Sequence, residues 1–513
     1  MQRRIVGLDL GVATDHTAVI LDQTGAELGR RRVRPVRASL EALREAALTG
    51  APPETVVEVV IEPTGPAWLP VAVFFAATGD LLYRVSSQKA ADLRRYYRHH
   101  HKTNRIDATT LARIAILEGE ALRPVELPRG AAAELDRQVR VTERLTEEIA
   151  ARKVRIRDLA RQLMPTSGQA FSARIARVDL EILRAWGDPR TLAAQPLKAL
   201  TQFVARVSHQ MHGRAKAQAW LQAATDAIQL YGQDDAIPFA ALAGDLATEI
   251  ALLEALEAAR APHERRREQL YRQVDPTMLA RTLPGIADKG GPLATTAIGR
   301  PGRFPHADRF ASYTGLVPGA SETGNTDRKG QPITKAGNRK LRRMLYRAAD
   351  TARKQDPQLA RIYWVQMVQR GANHTKALAV VAAHLARRLW RVLERQTPYV
   401  VCDIDGRPVT PEQAKQVIAE RYTVPEEIRR RRRASKKAGK APHQVLEGHA
   451  IKPSAQGAGS TRRPSPAPIL AATPTWGQRK RPLDTRRWIG NHSSARKRQV
   501  RSRLATSASA VLS

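Results

Sequence analysis

The chain has 513 residues, 42% of them apolar, which is material for two or three domains with separate cores. A formal charge of +36, from 85 Lys and Arg against 49 Asp and Glu, points to a polyanionic partner, with DNA or RNA the first candidates. Cys402 is the single cysteine, which excludes disulfide frameworks and cysteine-based zinc sites and suits a reducing cytoplasm.

Met1-Gln-Arg-Arg leads into a strand pattern and does not read as a signal peptide. The longest uncharged apolar stretch, Pro66 to Gly79, is shorter than the roughly 20 residues a bilayer span needs, so no transmembrane helix is expected and the location reads as cytoplasmic. Arg4 to Leu10, Thr17 to Leu21 and Leu28 to Val36 predict three short strands in an antiparallel meander, followed by a helix over Leu40 to Ala47. The β-branched run Thr55 to Ile61 predicts a fourth strand that stops at Glu62-Pro63, and Trp68 to Ala77 a helix. Leu81 to Val85 is a fifth strand, with helices over Gln88 to Tyr97 and Asp107 to Leu117. Three antiparallel strands and then two that alternate with helices make the strand order of an α/β RNase H-like, RuvC-like domain over residues 1–125.

Residues 126–280 predict a mainly α connector. Leu145, Ile149, Ile156, Leu159 and Leu163 recur at coiled-coil spacing, interrupted by Arg152, in a long helix that ends at Pro165. That helix either packs on its own chain or forms an intermolecular coiled coil through which the protein is a homo-oligomer. A second helical block includes Leu242 to Ala259. Residues 281–397 predict a mainly α domain. Leu283-Pro-Gly285-Ile286 has the form of a helix-hairpin-helix turn that offers backbone N–H groups to a phosphate. A polar segment runs from Gly319 to Gly337, and the helix after Asn338 places Leu341, Leu345, Ala348 and Ala352 inward and Arg339, Lys340, Arg343 and Arg347 outward. Residues 398–513 read as a basic, largely disordered tail. From Arg429 onward, 21 Lys and Arg stand against Glu447 and Asp484, so +19 of the charge lies there and +17 on the preceding 428 residues. Beyond about residue 430 the tail reads equally as a nucleic-acid tether or as read-through sequence.

Three acids stand where elements end: Asp9 in Asp9-Leu-Gly11 after the first strand, Glu62 after the fourth, and Asp107 opening a later helix. Carboxylates from separate elements are what a Mg²⁺ site for phosphoryl transfer needs, whereas capping is the ordinary role for an acid in the place of Asp107. The run His99-His100-His101 reads as a solvated face, since three adjacent histidines cannot all turn to one ion. Arg328, Lys329, Lys335, Arg339, Arg342 and Arg343 suit phosphate contacts by charge and position.

Taken together, Gly7-Leu-Asp9-Leu-Gly11, Ile61-Glu62-Pro-Thr-Gly65, Lys102-Thr-Asn104-Arg-Ile-Asp107-Ala, the Leu283-to-Ile286 turn, Gly315-Leu-Val-Pro318, Thr323-Gly324 and Thr334-Lys-Ala-Gly337-Asn resemble the DEDD transposases of the IS110 family of bacterial insertion sequences. The motifs run in order from residue 5 to about residue 390. The resemblance implies a RuvC-like domain, a coiled-coil connector and a C-terminal transposase domain. It also implies a nucleoid-associated, oligomeric recombinase, guided by a structured RNA, that joins DNA through a hydroxyl linked covalently to phosphate. The family's four acids fall on Asp9, Glu62, Asn104 and Asp107, so a neutral amide stands where one carboxylate is usual. The family's serine falls on Thr323, with Ser321 two residues earlier as the competitor. The alternatives are a non-catalytic, nucleic-acid-binding relic of a transposase and a Holliday-junction-type nuclease that uses the metal site alone.

Overall fold

The computed structural model describes residues 2–97, 103–119, 122–232, 237–319, 322–323, 326–327 and 331–438. The run of three histidines, Ser321, Arg328, Lys329 and the sequence beyond 438 lie outside them.

The N-terminal region is a five-stranded sheet in the order β3-β2-β1-β4-β5. Its strands are β1 (Arg3–Asp9), β2 (His16–Leu21), β3 (Glu27–Val33), β4 (Val56–Ile61) and β5 (Leu81–Arg84). Strands β1, β2 and β3 are antiparallel neighbours, and β4 and β5 add in parallel on the other side of β1. Because side chains alternate along a strand, β1 sends Val6, Leu8 and Leu10 to one face and Ile5, Gly7 and Asp9 to the other. The first face packs on α1 (Arg37–Leu48) and α2 (Trp68–Ala77) through Leu40, Leu43, Val71 and Phe75. The second face carries α3 (Ser87–Tyr96) and α4 (Asn104–Glu118), whose Ala108, Leu111, Ala112 and Ala115 lie against Ile5, Val19 and Val60.

Gly7 sets how closely α4 approaches. A Cβ there would stand 1.9 Å from the Ala108 carbonyl oxygen and 2.6 Å from the Ala112 nitrogen, so only glycine lets the helix backbone rest on the strand. Gly11 has a comparable role after Asp9. A Cβ at that position would lie 2.4 Å from both the Thr14 carbonyl and its Oγ1, inside the tight turn that leads into β2.

The connector is α-helical throughout. It comprises α5 (Gly130–Leu163), five shorter helices α6 (Ser167–Ala170), α7 (Arg177–Ala185), α8 (Pro189–Ala193), α9 (Leu197–Val207) and α10 (Arg214–Tyr231), and then α11 (Phe239–Val274). The seam of α5 is used within the chain. Leu135, Val139, Ile149 and Ile156 are buried, and Arg152, which breaks the apolar repeat, hydrogen-bonds Glu249 of α11 at 2.9 Å from both carboxylate oxygens. Glu134 meets Arg266, and Gln138 meets His263, so the two long helices run antiparallel. Of the two expectations for this helix, packing on its own protein is the one seen.

The C-terminal region packs α12 (Gly290–Ile298), α13 (Ala307–Thr314), α14 (Arg339–Ala352), α15 (Pro357–Trp364) and α16 (His374–Arg395) around one core that includes Phe310, Leu341, Leu345, Leu359, Leu385 and Leu389. Two short strands, β6 (Glu322–Thr323) and β7 (Thr326–Asp327), form a hairpin between α13 and α14. Two readings change here. The Leu283-Pro-Gly-Ile286 turn is entered from a 3₁₀ turn, Leu279–Thr282, and not from a full helix. Its Gly285 (φ +83°) has its Cα against the backbone of α14, where a Cβ would lie 2.3 Å from the Ala348 oxygen, so close packing by itself requires this glycine. The other change is at residue 398, where a disordered tail was expected to begin. Tyr399 donates its hydroxyl to the buried Asp356 carboxylate, Val424 is 3% exposed in the core, and α17 (Pro411–Arg421) and α18 (Glu426–Ala438) follow.

Candidate active site

Two of the predicted acids come together by strand register alone. Leu8 pairs with Ile61 across the parallel β1–β4 ladder, so the next residues, Asp9 and Glu62, are neighbours at the same end of two central strands. Alternation turns both toward the face that carries α4. The turn after Asp9 is tied down from β2, where the buried His16 accepts the Gly11 N–H on Nδ1 at 3.1 Å. Burial is the main influence on this imidazole and pulls its pKa below the ordinary value, against the nearby Asp15 carboxylate. It is therefore neutral, with its proton on Nε2 when Nδ1 accepts.

The third acid reaches the same face by a different route. Thr103 caps α4, its Oγ1 accepting the Ile106 N–H at 3.2 Å, and Asn104 is the exposed first residue of the helix. Asp107 is therefore not the cap that its position suggested. It stands one residue before Ala108, whose carbonyl rests on Gly7, and its carboxylate is ion-paired with Arg94 of α3 at 11% side-chain exposure. Arg94 and His16 are the two neighbours that the sequence did not single out. Neither carries a motif, and His16 is marked only by its place at the head of an apolar strand close to Asp9-Leu-Gly11.

Whether these residues suit a divalent cation has a divided answer. Asp9 and Glu62 are a carboxylate pair on one face of adjacent strands, which is suitable donor chemistry. Asp107 is held by Arg94, and no group of three His, Cys, Asp or Glu side chains among the described residues is gathered closely enough to hold an ion. The pair fits; the third ligand has to exchange a guanidinium for the metal.

The predicted nucleophile segment lies in the C-terminal region. Thr323 is in β6, where its backbone pairs with Thr326 of β7, and the surrounding loop is joined at its base by the Pro318–Ile333 bridge. Of the basic residues proposed around it, Lys335 and Arg339 are exposed. Arg342 donates to the carbonyls of Thr314 and Lys335, at 3.2 and 2.8 Å, and so helps to shape the base of that loop. Arg343 donates to Glu143 and Glu147 of α5, at 2.7 Å each, and joins the connector to α14. The sheet is also close to this region: Arg84, at the end of β5 on the same edge of the sheet as Asp9 and Glu62, lies in the electrostatic reach of Tyr313 and Arg303.

Residues 6–165 match the DEDD-type IS110 transposase family, and residues 278–364 match the Transposase IS116/IS110/IS902 family. The chain is similar to the Insertion element IS110 uncharacterized 43.6 kDa protein of Streptomyces coelicolor, 27% identical over 408 residues that make up 77% of this chain and 95% of that protein. It is also similar to the Insertion element IS116 uncharacterized 44.8 kDa protein of Streptomyces clavuligerus, 26% identical over 393 residues, 76% of this chain and 94% of that one. The first match runs from within β1 through the rest of the sheet and α5, and the second spans the predicted nucleophile segment and α14.

Proposed function

We propose that this chain is an IS110-type transposase that cuts and rejoins DNA with an RNase H-like acidic site in its first region and a hydroxyl nucleophile in its last. The observation that carries the reading is the register of β1 and β4, which sets Asp9 beside Glu62 on the face covered by α4. Asp9 and Glu62 would hold Mg²⁺, with Asp107 joining after it leaves Arg94 and Asn104 offering a neutral carbonyl oxygen from the same helix end. When bound, the cation offsets charge that builds on phosphate oxygens and lowers the pKa of an attacking hydroxyl. Thr323 is the first choice for that hydroxyl and Ser321 the second. Its oxygen bonds to phosphorus as the bond from phosphorus to the departing strand breaks, which leaves a protein–phosphate ester for the next strand to resolve.

Lys335 and Arg339, exposed beside the hairpin, are suited to neighbouring phosphates. Strand transfer is assigned to a homo-oligomer directed by a guide RNA, in keeping with the basic charge of the chain. The test is incubation with the element's DNA ends, its RNA and Mg²⁺, followed by mapping of any phosphopeptide. A DNA adduct on Thr323 or Ser321 is expected. Cleavage that persists in the Thr323→Ala, Ser321→Ala double variant would mean a junction nuclease that uses the acids alone. Tight DNA binding with neither adduct nor cleavage would mean a non-catalytic relic.

A further inference from the structure

A cavity of about 430 Å³ opens in the C-terminal region between α15, the π-helical turn Val365–Gln369 that extends it, and α16. It is lined by residues that no step of the proposed reaction uses. Its size lies within the range of about 300–1,000 Å³ typical of small-ligand sites. Ile362, Val365, Val380 and Ile404 make its walls apolar. Arg361 and Arg370 stand at its margin, both exposed, and neither guanidinium is in an ion pair or hydrogen bond with the described residues. Gln366, only 8% exposed, lines the interior, and its side-chain amide has no hydrogen bond to the described residues. The π-helical turn is what places Gln366 there, one residue out of phase with a regular α-helix.

Of the remaining polar groups, Arg388 and Gln358 are already committed, whereas the His384 imidazole lines the wall without a hydrogen bond to the described residues. Arg388 donates to Asp356 and Gln358 at 2.9 Å each, and the Gln358 amide donates to the Asp403 carbonyl at 2.8 Å. A second basic cavity nearby, lined by Arg353, Lys354 and Arg429, differs in this respect, since its cations are already paired with Asp350 and Glu426. The first cavity therefore combines aliphatic walls, an amide and an imidazole without partners among the described residues, and two unneutralised guanidiniums at the mouth. Those are the features that bind a nucleobase and its attached phosphate.

We propose that this cavity accepts one unstacked nucleotide from a single-stranded segment, its base between the apolar walls against the Gln366 amide and its phosphate on Arg361 and Arg370. An amide paired to a base edge favours adenine, which matches its donor and acceptor bidentately. DNA and RNA strands offer the same chemistry, and separate arms of the test distinguish them. The nucleic-acid partner is taken from the transposase reading, but the test measures binding and not strand transfer, so either proposal can fail without the other.

The experiment titrates the full chain with fluorescently labelled single-stranded DNA, single-stranded RNA, the same backbones made abasic, and a duplex of equal length. The expected result is binding to an adenine-containing single strand about tenfold tighter than to its abasic form. Gln366→Leu and Val380→Trp should remove that difference and leave duplex binding as it was, while Arg361→Ala with Arg370→Ala should weaken the intact and abasic strands alike. Whichever of DNA or RNA shows the base-dependent gain is the occupant. The exposed arginines and the isosteric Gln366→Leu change keep the test sound if Val380→Trp does not fold. Equal affinity for intact and abasic strands, or equal weakening of single strand and duplex in the Gln366→Leu protein, would overturn the proposal.

Discussion

The sheet and the β6–β7 hairpin hold the proposed reactive positions in different ways. Asp9 and Glu62 are fixed by a ladder of paired residues running from Arg3–Val56 to Leu8–Ile61, in a sheet packed on both faces. Thr323 is on a hairpin of two residues per strand, and among the described residues the base of its loop is tied by the Pro318–Ile333 bridge, the Lys335 N–H to Gly315 carbonyl bond and two hydrogen bonds from Arg342. One half is organised by the core before any substrate arrives; the other relies on local contacts and on what binds it. If the proposed composite site is correct, its acidic half tolerates little change and its hydroxyl half depends more on local contacts.

The comparison fails most directly if the acids are not the organised half. Asp9→Ala or Glu62→Ala is expected to lower strand transfer by about a thousandfold, since the site supplies several kcal/mol of charge stabilisation. DNA binding should persist, and denaturant unfolding should stay cooperative, because neither carboxylate contributes to the apolar core. Recombination at the wild-type rate in either variant would remove the metal-site assignment.

A smaller effect is expected at the partner of Asp107. Arg94 now neutralises that carboxylate, so Arg94→Gln frees it, and the Mg²⁺ concentration for half-maximal cleavage should fall by up to about tenfold, the effect of one unit of differential interaction. A rise in the Mg²⁺ requirement would show instead that Arg94 orients Asp107 for the metal. Either outcome refines the view of the sheet as the preorganised half, since the α4 acid is held by an ion pair to α3.

The legible part of this fold is the part governed by local rules. The β-branched run before Glu62-Pro63, the Gly turns and the alternation around Asp9 are enough to predict five strands in the observed chain order, and the helix read as opening at Asp107 begins three residues earlier, at Asn104. What could not be read depends on tertiary partners. Periodicity marks the buried side of α5 but not α11 as its occupant. The Asp107 motif does not reveal Arg94, which is brought to it from a separate helix. The folded stretch after residue 398 was hidden because it is held by isolated long-range anchors, the Tyr399–Asp356 bond and Val424, with no periodic apolar stripe to announce it.

On the basic surface the two regions can be compared residue against residue. Arg339 is exposed beside the hairpin, whereas Arg343, four positions on, is paired with Glu143 and Glu147. Arg339→Ala should lower the slope of log affinity against log salt by about one, the signature of a lost phosphate contact. Arg343→Ala should leave that slope unchanged and cost about 1 kcal/mol or less of stability, as expected for a partly exposed ion pair. A salt slope that changes in both variants would mean that DNA draws Arg343 away from α5, which would make the connector a participant in substrate binding.

The smallest expected effect concerns acid stability of the C-terminal region. His384, on α16 beside the cavity, has its pKa lowered from the ordinary 6.5, first by burial and then by Arg387 and Arg388. In the unfolded chain it takes up a proton as pH falls past 6.5, whereas in the folded chain it resists until a lower pH. The unfolded state therefore binds more protons in that window, and stability declines as pH drops through it. His384→Gln removes this proton uptake, so its melting temperature should fall less than that of the wild type between neutral pH and mildly acidic pH. His374, also depressed, remains in both proteins and contributes equally to both curves. Parallel curves would mean that His384 becomes charged in place without penalty, with solvent or a bound anion compensating Arg387 and Arg388. The nucleotide cavity would then be more hydrated than its apolar walls imply.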